Sequence, residues 1–203
     1  MDSRTALQLS DWRREVAQLY AQVRSIGDPA EGHARWRAGR EKLFLDHPQS
    51  PLAAADPLRR SGIPVWPYDP ALRWVLPLEP APQPDDLAID SGADGSTRLS
   101  QAGWITLPDP FGARVAVWWL DQYAGGMFLP LRDGTAGTSS YGGGRYLLDT
   151  AKGADLGGDG QEMVVDLNFL YHPSCRYDIR WVCPLAPPQN IIEQPVEAGE
   201  RLP

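Results

Sequence analysis

Two stretches of the chain carry residue types that do chemistry. The first, TSSYGGGRYLLD at 138–149, sets three glycines between Tyr141 and the pair Arg145-Tyr146. The second, VVDLNFLYHPSCRYDIRWVCPLAPPQN at 164–190, holds Asp166, Asn168, Tyr171, His172 and both cysteines of the chain, Cys175 and Cys183. Consecutive glycines permit positive φ and leave backbone amides within reach of a ligand. A guanidinium beside such amides suits a carboxylate or a phosphate. The plainer reading is a tight turn into a strand, with Arg145 paired to Asp166 or Asp149. YGGGRY has neither the spaced glycines of a dinucleotide fingerprint nor the Gly-Lys-Ser/Thr end of a P-loop, so a nucleotide site is disfavoured.

The cysteines leave several chemistries open. The Cys-x7-Cys spacing matches no familiar zinc pattern, and metal binding would need His172 and a carboxylate such as Asp178. The other readings are two buried thiols, a disulfide closing a Pro-flanked turn, and a nucleophilic cysteine with His172 as its base. His33 and His47 read as packing or surface residues. G-x-S-x-G and H-E-x-x-H are both missing from the sequence.

The elements that must position these groups follow from periodicity. Leu9, Trp12, Val16, Leu19, Tyr20, Val23 and Ile26 recur at helical spacing, and Gly27 marks a stop. Asp28-Pro29 restarts a helix, with Glu31 able to close a capping box, and apolar residues continue to Leu45. Six prolines between Pro48 and Pro70 then end helical structure, yet Ile63, Val65, Trp66 and Tyr68 are too apolar for a free linker. From Leu72 the period changes to two, in short runs bounded by Gly, Asp or Pro, with a hairpin turn at PDPFG, 108–112. The runs GRYLLD and EMVVDLNF are consecutive, so they are expected to pair antiparallel and to set 141–145 opposite 168–171.

Composition bounds the class. The chain has 203 residues, with 20 Gly, 20 Pro and eight Trp, which favours turns and short strands around large aromatic anchors. The net charge of −7 argues against a nucleic-acid partner. No stretch has the apolar length of a membrane span or signal peptide, which points to the cytoplasm and to reduced thiols.

The motifs FLPLRDGTAGTSSYGGGRYLLD, VVDLNFLYHPSCRYDIRWVCPLAPPQN and PVEAGER, with HPQSPL and IPVWPYDP earlier, together resemble the bacterial and archaeal family called domain of unknown function 1684. The resemblance runs from about Trp36 to Arg201 and implies one family domain without an established activity. Two departures stand out: Ser139 and Ser140 replace an acid and a Thr before the tyrosine, and Leu167 and His172 replace a Phe and an Asn.

The expectation is a mainly-β (α+β) domain spanning 1–203. It comprises a helical hairpin at 1–47, a packed Pro-rich connector at 48–70, and an antiparallel barrel or sandwich at 71–203. Its function is expected to be the binding of a small molecule, with Arg145 as an anion contact, in a pocket rimmed by the 141–145 turn and the 168–183 segment. The site residues would be Tyr141, Gly143, Arg145, Asp166, Asn168, Tyr171, Cys175 and Cys183. The alternatives are a hydrolase or lyase using Asp166 and Arg145, and a scaffold in which these residues only hold the fold together. No cofactor or oligomeric state is implied.

Overall fold

The structure is a computed structural model that describes residues 1–90 and 95–203. Helix α1, Ser3–Ser25, starts where the Asp2 carboxylate accepts from the Thr5 amide. Helix α2, Pro29–Asp46, starts where Asp28 accepts from the Ala30 and Glu31 amides, with proline in the first turn as expected. The two helices pack as a hairpin. Leu19, Tyr20 and Val23 from the first join Trp36 and Leu43 from the second in the main core, and the Trp36 indole donates to the Tyr20 hydroxyl at 3.1 Å. One turn of helix, α3 at Leu58–Ser61, interrupts the connector.

The strands are β1 Arg73–Pro77, β2 Asp86–Asp90, β3 Ser96–Thr106, β4 Arg114–Leu120, β5 Met127–Leu131, β6 Arg145–Asp149 and β7 Glu162–Asp166. Five of them form an antiparallel meander in the order β2-β3-β4-β5-β6, and β1 pairs with β7 in a separate antiparallel ribbon. The fold is therefore mainly β with an N-terminal helical region. The meander stays open: β2 and β6 do not meet among the described residues, and no closed barrel forms.

Burial explains the sequence pattern. Val115, Val117, Leu129, Leu131 and Leu147 face the helices and the ribbon, while Ala116, Trp118, Phe128 and Tyr146 face a second cluster on the other side of the sheet. Asn190 closes part of that far side, accepting from the Trp118 indole and donating to the Ala116 carbonyl, both at 2.7 Å.

The expected pairing of β6 with β7 is not made. β6 pairs with β5, and β7 pairs with β1 in a register that sets Arg73 opposite Asp166. After β7 the Asp166 carboxylate accepts from the Asn168 amide at 3.1 Å and starts a single 3-10 turn, Leu167–Phe169. That turn redirects the chain, and Tyr171 then exchanges two backbone hydrogen bonds with Tyr146, at 2.8 and 3.0 Å. The free edge of β6 is thus met by the residue after the turn, and the 141–145 turn still comes beside 171–172.

Candidate functional site

The glycine turn follows a compact polar knot. Asp133 accepts from the amide and hydroxyl of Thr135 and from the Val196 amide. Its other oxygen accepts from Arg145 Nη2 at 2.8 Å. Arg145 also donates to the carbonyls of Val196 at 2.9 Å, of Glu200 at 3.0 Å, and of Ala198. Both side chains are sealed from water, Arg145 at 0% and Asp133 at 1% exposure. Burial alone would raise the Asp133 pKa, but the facing guanidinium and the Thr135 and Val196 donors hold it below the usual value. Two expectations are corrected here. The partner of Arg145 is Asp133 rather than Asp166, and its Nη donors are taken by Asp133 and three carbonyls while Nε stays unpartnered but buried, so no anionic ligand reaches it. Gly144 allows this arrangement: its φ is +90°, and a Cβ would stand 2.5 Å from the Leu131 carbonyl oxygen.

A second buried network lies alongside. Glu200, 1% exposed, accepts from the Arg40 guanidinium, from the His172 amide at 2.7 Å and from the Tyr177 hydroxyl at 3.3 Å. Burial would raise the Glu200 pKa, but Arg40 and His172 keep it low. His172 Nε2 accepts from the Tyr141 amide at 3.2 Å, so its proton sits on Nδ1, 3.7 Å from Glu200. Burial, with Arg145, Arg176 and Arg40 nearby, lowers the His172 pKa to about 4 despite Glu200. A neutral ring whose Nε2 is already occupied cannot serve as the base for a cysteine, and that reading is withdrawn.

In front of these networks lies the thiol corner. Cys175 and Cys183 are both free and half-buried. Their side chains adjoin each other, and the Tyr141 side chain stands beside Cys175. The Tyr146 side chain likewise reaches Cys183, while its hydroxyl donates to the Pro184 carbonyl at 2.6 Å. The contact makes the two thiols unequal. The Cys175 side chain, then its backbone amide, Lys152 and Tyr146, draw the Cys183 thiol below its ordinary value against the opposing effect of burial. The neighbouring Cys183 and burial push Cys175 upward. Gly143 leaves room for the tyrosine: a Cβ there would lie 2.6 Å from the Tyr141 ring and 2.9 Å from Leu185. The Tyr171 ring stands behind, against Tyr146 at 5.8 Å and under the Arg40 guanidinium at 4.5 Å.

Asp166 and Asn168 face elsewhere. Asn168 is spent on the chain at Asp69, accepting from its amide at 2.9 Å and donating to its carbonyl at 2.8 Å. Asp166 stands 3.7 Å from Arg73 Nε and lines a cleft beside the helical hairpin. The eight expected residues therefore divide into a thiol corner of Tyr141, Gly143, Tyr171, Cys175 and Cys183, a buried strut at Arg145, and a separate pair at Asp166 and Asn168. Sequence reading missed Asp133, Arg40, Glu200 and Lys152. Only Asp133 left a signal, in the Asp-Gly-Thr of RDGT, where an aspartate accepts from the amide two residues on.

Metal ligation by the cysteines with His172 and Asp178 finds no convergence. Among the described residues, the one group of His, Cys, Asp and Glu close enough for an ion is Asp11, Glu15 and His47. There His47 Nδ1 accepts from the Gln49 amide at 3.0 Å, which places its proton on Nε2, facing Asp11 at 3.7 Å. A nitrogen carrying that proton offers no lone pair to a metal. Among the described residues no helix is long and apolar enough to cross a membrane.

Fold and site together define a helix-flanked, two-sheet β protein with a buried arginine–aspartate knot behind a half-buried thiol pair. Residues 60–201 match the family described as Protein of unknown function (DUF1684), and the chain belongs to that family. The knot, both cysteines, Asp166 and Glu200 lie inside the matched region; Arg40 lies before it. The chain is also similar to the uncharacterized protein from gene locus rrnAC0354 of Haloarcula marismortui, solved by solution NMR. That likeness has 27% identity and a TM-score of 0.57, covering 82% of this chain and 90% of the other. No curated protein matches the chain.

Proposed function

We propose that the protein binds small thiols and disulfides at the Tyr141–Cys175–Cys183 corner and exchanges electrons with them. The observation that carries this reading is a pair of free, half-buried cysteines at one corner beside Tyr141 and Tyr146. Their mutual influence lowers the Cys183 thiol and raises Cys175, so Cys183 is the readier thiolate, and the thiolate is the nucleophile. Cys183 attacks one sulfur of a small disulfide, forming a mixed disulfide and releasing one thiolate. Cys175 then loses its proton and attacks the Cys183 sulfur. The second thiolate leaves, and a Cys175–Cys183 disulfide remains. The protein loses two electrons, the small disulfide gains them, and an excess of thiol reverses both steps.

The expected anionic ligand has a place in this reading. A cavity of about 410 Å³ adjoins Cys183 through its neighbours Val182 and Pro184, and it is lined by Arg13, Arg98 and Lys152 together with Asp121 and Asp149, the last paired with Lys152 at 3.1 Å. The cations outnumber the carboxylates by one, which favours a disulfide that carries a carboxylate.

Glutathione disulfide is a suitable probe. Intact mass of the reduced protein after exposure should show one intramolecular disulfide. Cys175→Ser should accumulate one glutathionyl adduct on Cys183, and Cys183→Ser should react at least about tenfold more slowly. Faster reaction at Cys175, or failure of wild type to form the internal bond, would overturn the proposal.

A further inference from the structure

A second site lies between the helical hairpin and the β1–β7 ribbon. A cleft of about 340 Å³ opens there, walled by Val23, Ile26, Leu156, Val164 and Phe169. That is the size of a small-molecule pocket. Two guanidinium groups, Arg24 and Arg73, and one carboxylate, Asp166, line it as well.

The arginines are under-used. Arg73 is one-third exposed, and among the described residues its only ion pair is the 3.7 Å approach of Nε to Asp166, too long for a hydrogen bond. Its Nη groups therefore keep their donors. Arg24 commits Nη1 to Asp155, at 2.5 Å from its carbonyl and 3.5 Å from its carboxylate, and leaves Nε and Nη2 available. Asp166 is occupied from within: Asn168 donates to it twice, and the Tyr68 hydroxyl reaches it at 3.4 Å. Asp155 lies outside the cleft lining, so the walls themselves carry two guanidiniums and one carboxylate, and their uncommitted donors stand among apolar residues where an ion pair is worth more than in water. Arginine forks match a carboxylate in a way that lysines would not.

From this we infer that the cleft binds a small monocarboxylate with an apolar body, its head on Arg73 and Arg24 and its body against Val23, Leu156 and Phe169. This site does not involve the cysteines, so it stands or falls separately from the thiol corner.

The test uses hexanoate, with hexanol and hexylamine as controls, followed by calorimetry and amide shift mapping. Hexanoate should bind saturably and shift amides at 23–32, 73, 156–158 and 164–169, with hexanol and hexylamine at least about tenfold weaker. Arg73→Gln and Arg24→Gln should each weaken hexanoate about tenfold and leave hexanol unchanged. The Arg24 change lies on an exposed helix surface, so it remains informative should the Arg73 variant fold poorly. Cys183→Ser should bind hexanoate as wild type does. Absence of hexanoate binding at about 10 mM, equal affinity for hexanol, or an unchanged affinity in both arginine variants would overturn the inference.

Discussion

Arg145 and the Cys175–Cys183 pair adjoin the same glycine turn, yet their surroundings are opposite. Arg145 is wholly buried, with an aspartate and three carbonyls taking up its Nη donors. The thiols are half-buried, in contact, and unequal in acidity. An ionic group that is sealed from water, with every Nη donor engaged and only Nε left unpartnered, is out of reach of a ligand; it fixes the chain. A group that is half-open, with its proton poised by a neighbour, can react. The knot therefore acts as the anvil that holds residues 196–200 and the turn in place, and the thiols proposed to react sit in front of it.

The comparison is broken most directly at Arg145. Arg145→Met leaves Asp133 charged and buried without its partner, and should lower unfolding free energy by roughly 3–5 kcal/mol. Cys183→Ala, at the open corner, should cost only about 1 kcal/mol. Urea unfolding of the two variants measures the contrast, and similar losses would erase it.

A smaller effect tests the turn. Gly144→Ala forces a side chain to φ +90° with its Cβ 2.5 Å from a backbone oxygen, and should cost about 2 kcal/mol. Gly143→Ala meets only the Tyr141 ring and Leu185, which can move. Its stability loss should be below 1 kcal/mol or so, but its Cys175 should lose the tyrosine contact and change reactivity.

Acid supplies the subtlest contrast. His172 and His33 are both held near pKa 4 by burial, below the unfolded value of about 6.5. The unfolded chain therefore binds more protons between pH 6.5 and 4, so stability is complete above that window and falls as pH drops through it. His172→Asn removes one of the two histidine contributions and should roughly halve the slope of unfolding free energy against pH between about 6.5 and 5.5, above the range where Asp133 and Glu200 add to it. Equilibrium unfolding at several pH values reads the slope, and an unchanged slope would mean that His172 is not held neutral.

Much of the fold was legible because local chemistry dictated it. Asp28-Pro29 capped a helix as such a pair must, and the change from helical to alternating periodicity near Leu72 marked where the strands begin. Strand partners were not legible. The choice of β1 for β7 depends on Arg73 and on a one-turn 3-10 helix that Asp166 starts, and neither leaves a periodic trace. At the site, the nearness of the 141–145 turn to Tyr171 was anticipated, though through strand pairing that does not occur. The partner of Arg145 was misassigned because a buried arginine is completed by whatever the tertiary fold brings to it. Here that is Asp133 and the carbonyls of a tail more than fifty residues further on. Both cysteines lay in one segment, but their unequal acidity comes first from their mutual contact and then, for Cys183, from Lys152 and Tyr146, which lie apart from it in sequence.

The central claim is that contact between the thiols makes Cys183 the acidic, attacking sulfur. The rate of iodoacetamide alkylation of each cysteine in the reduced wild-type protein, followed from pH 4 to 10 by peptide mass spectrometry, tests it directly. Cys183 should react first, with an inflection below the ordinary thiol pKa, and Cys175→Ala should move that inflection upward. Equal rates at the two cysteines, both rising only near the ordinary thiol pKa of about 8.5, would contradict the account.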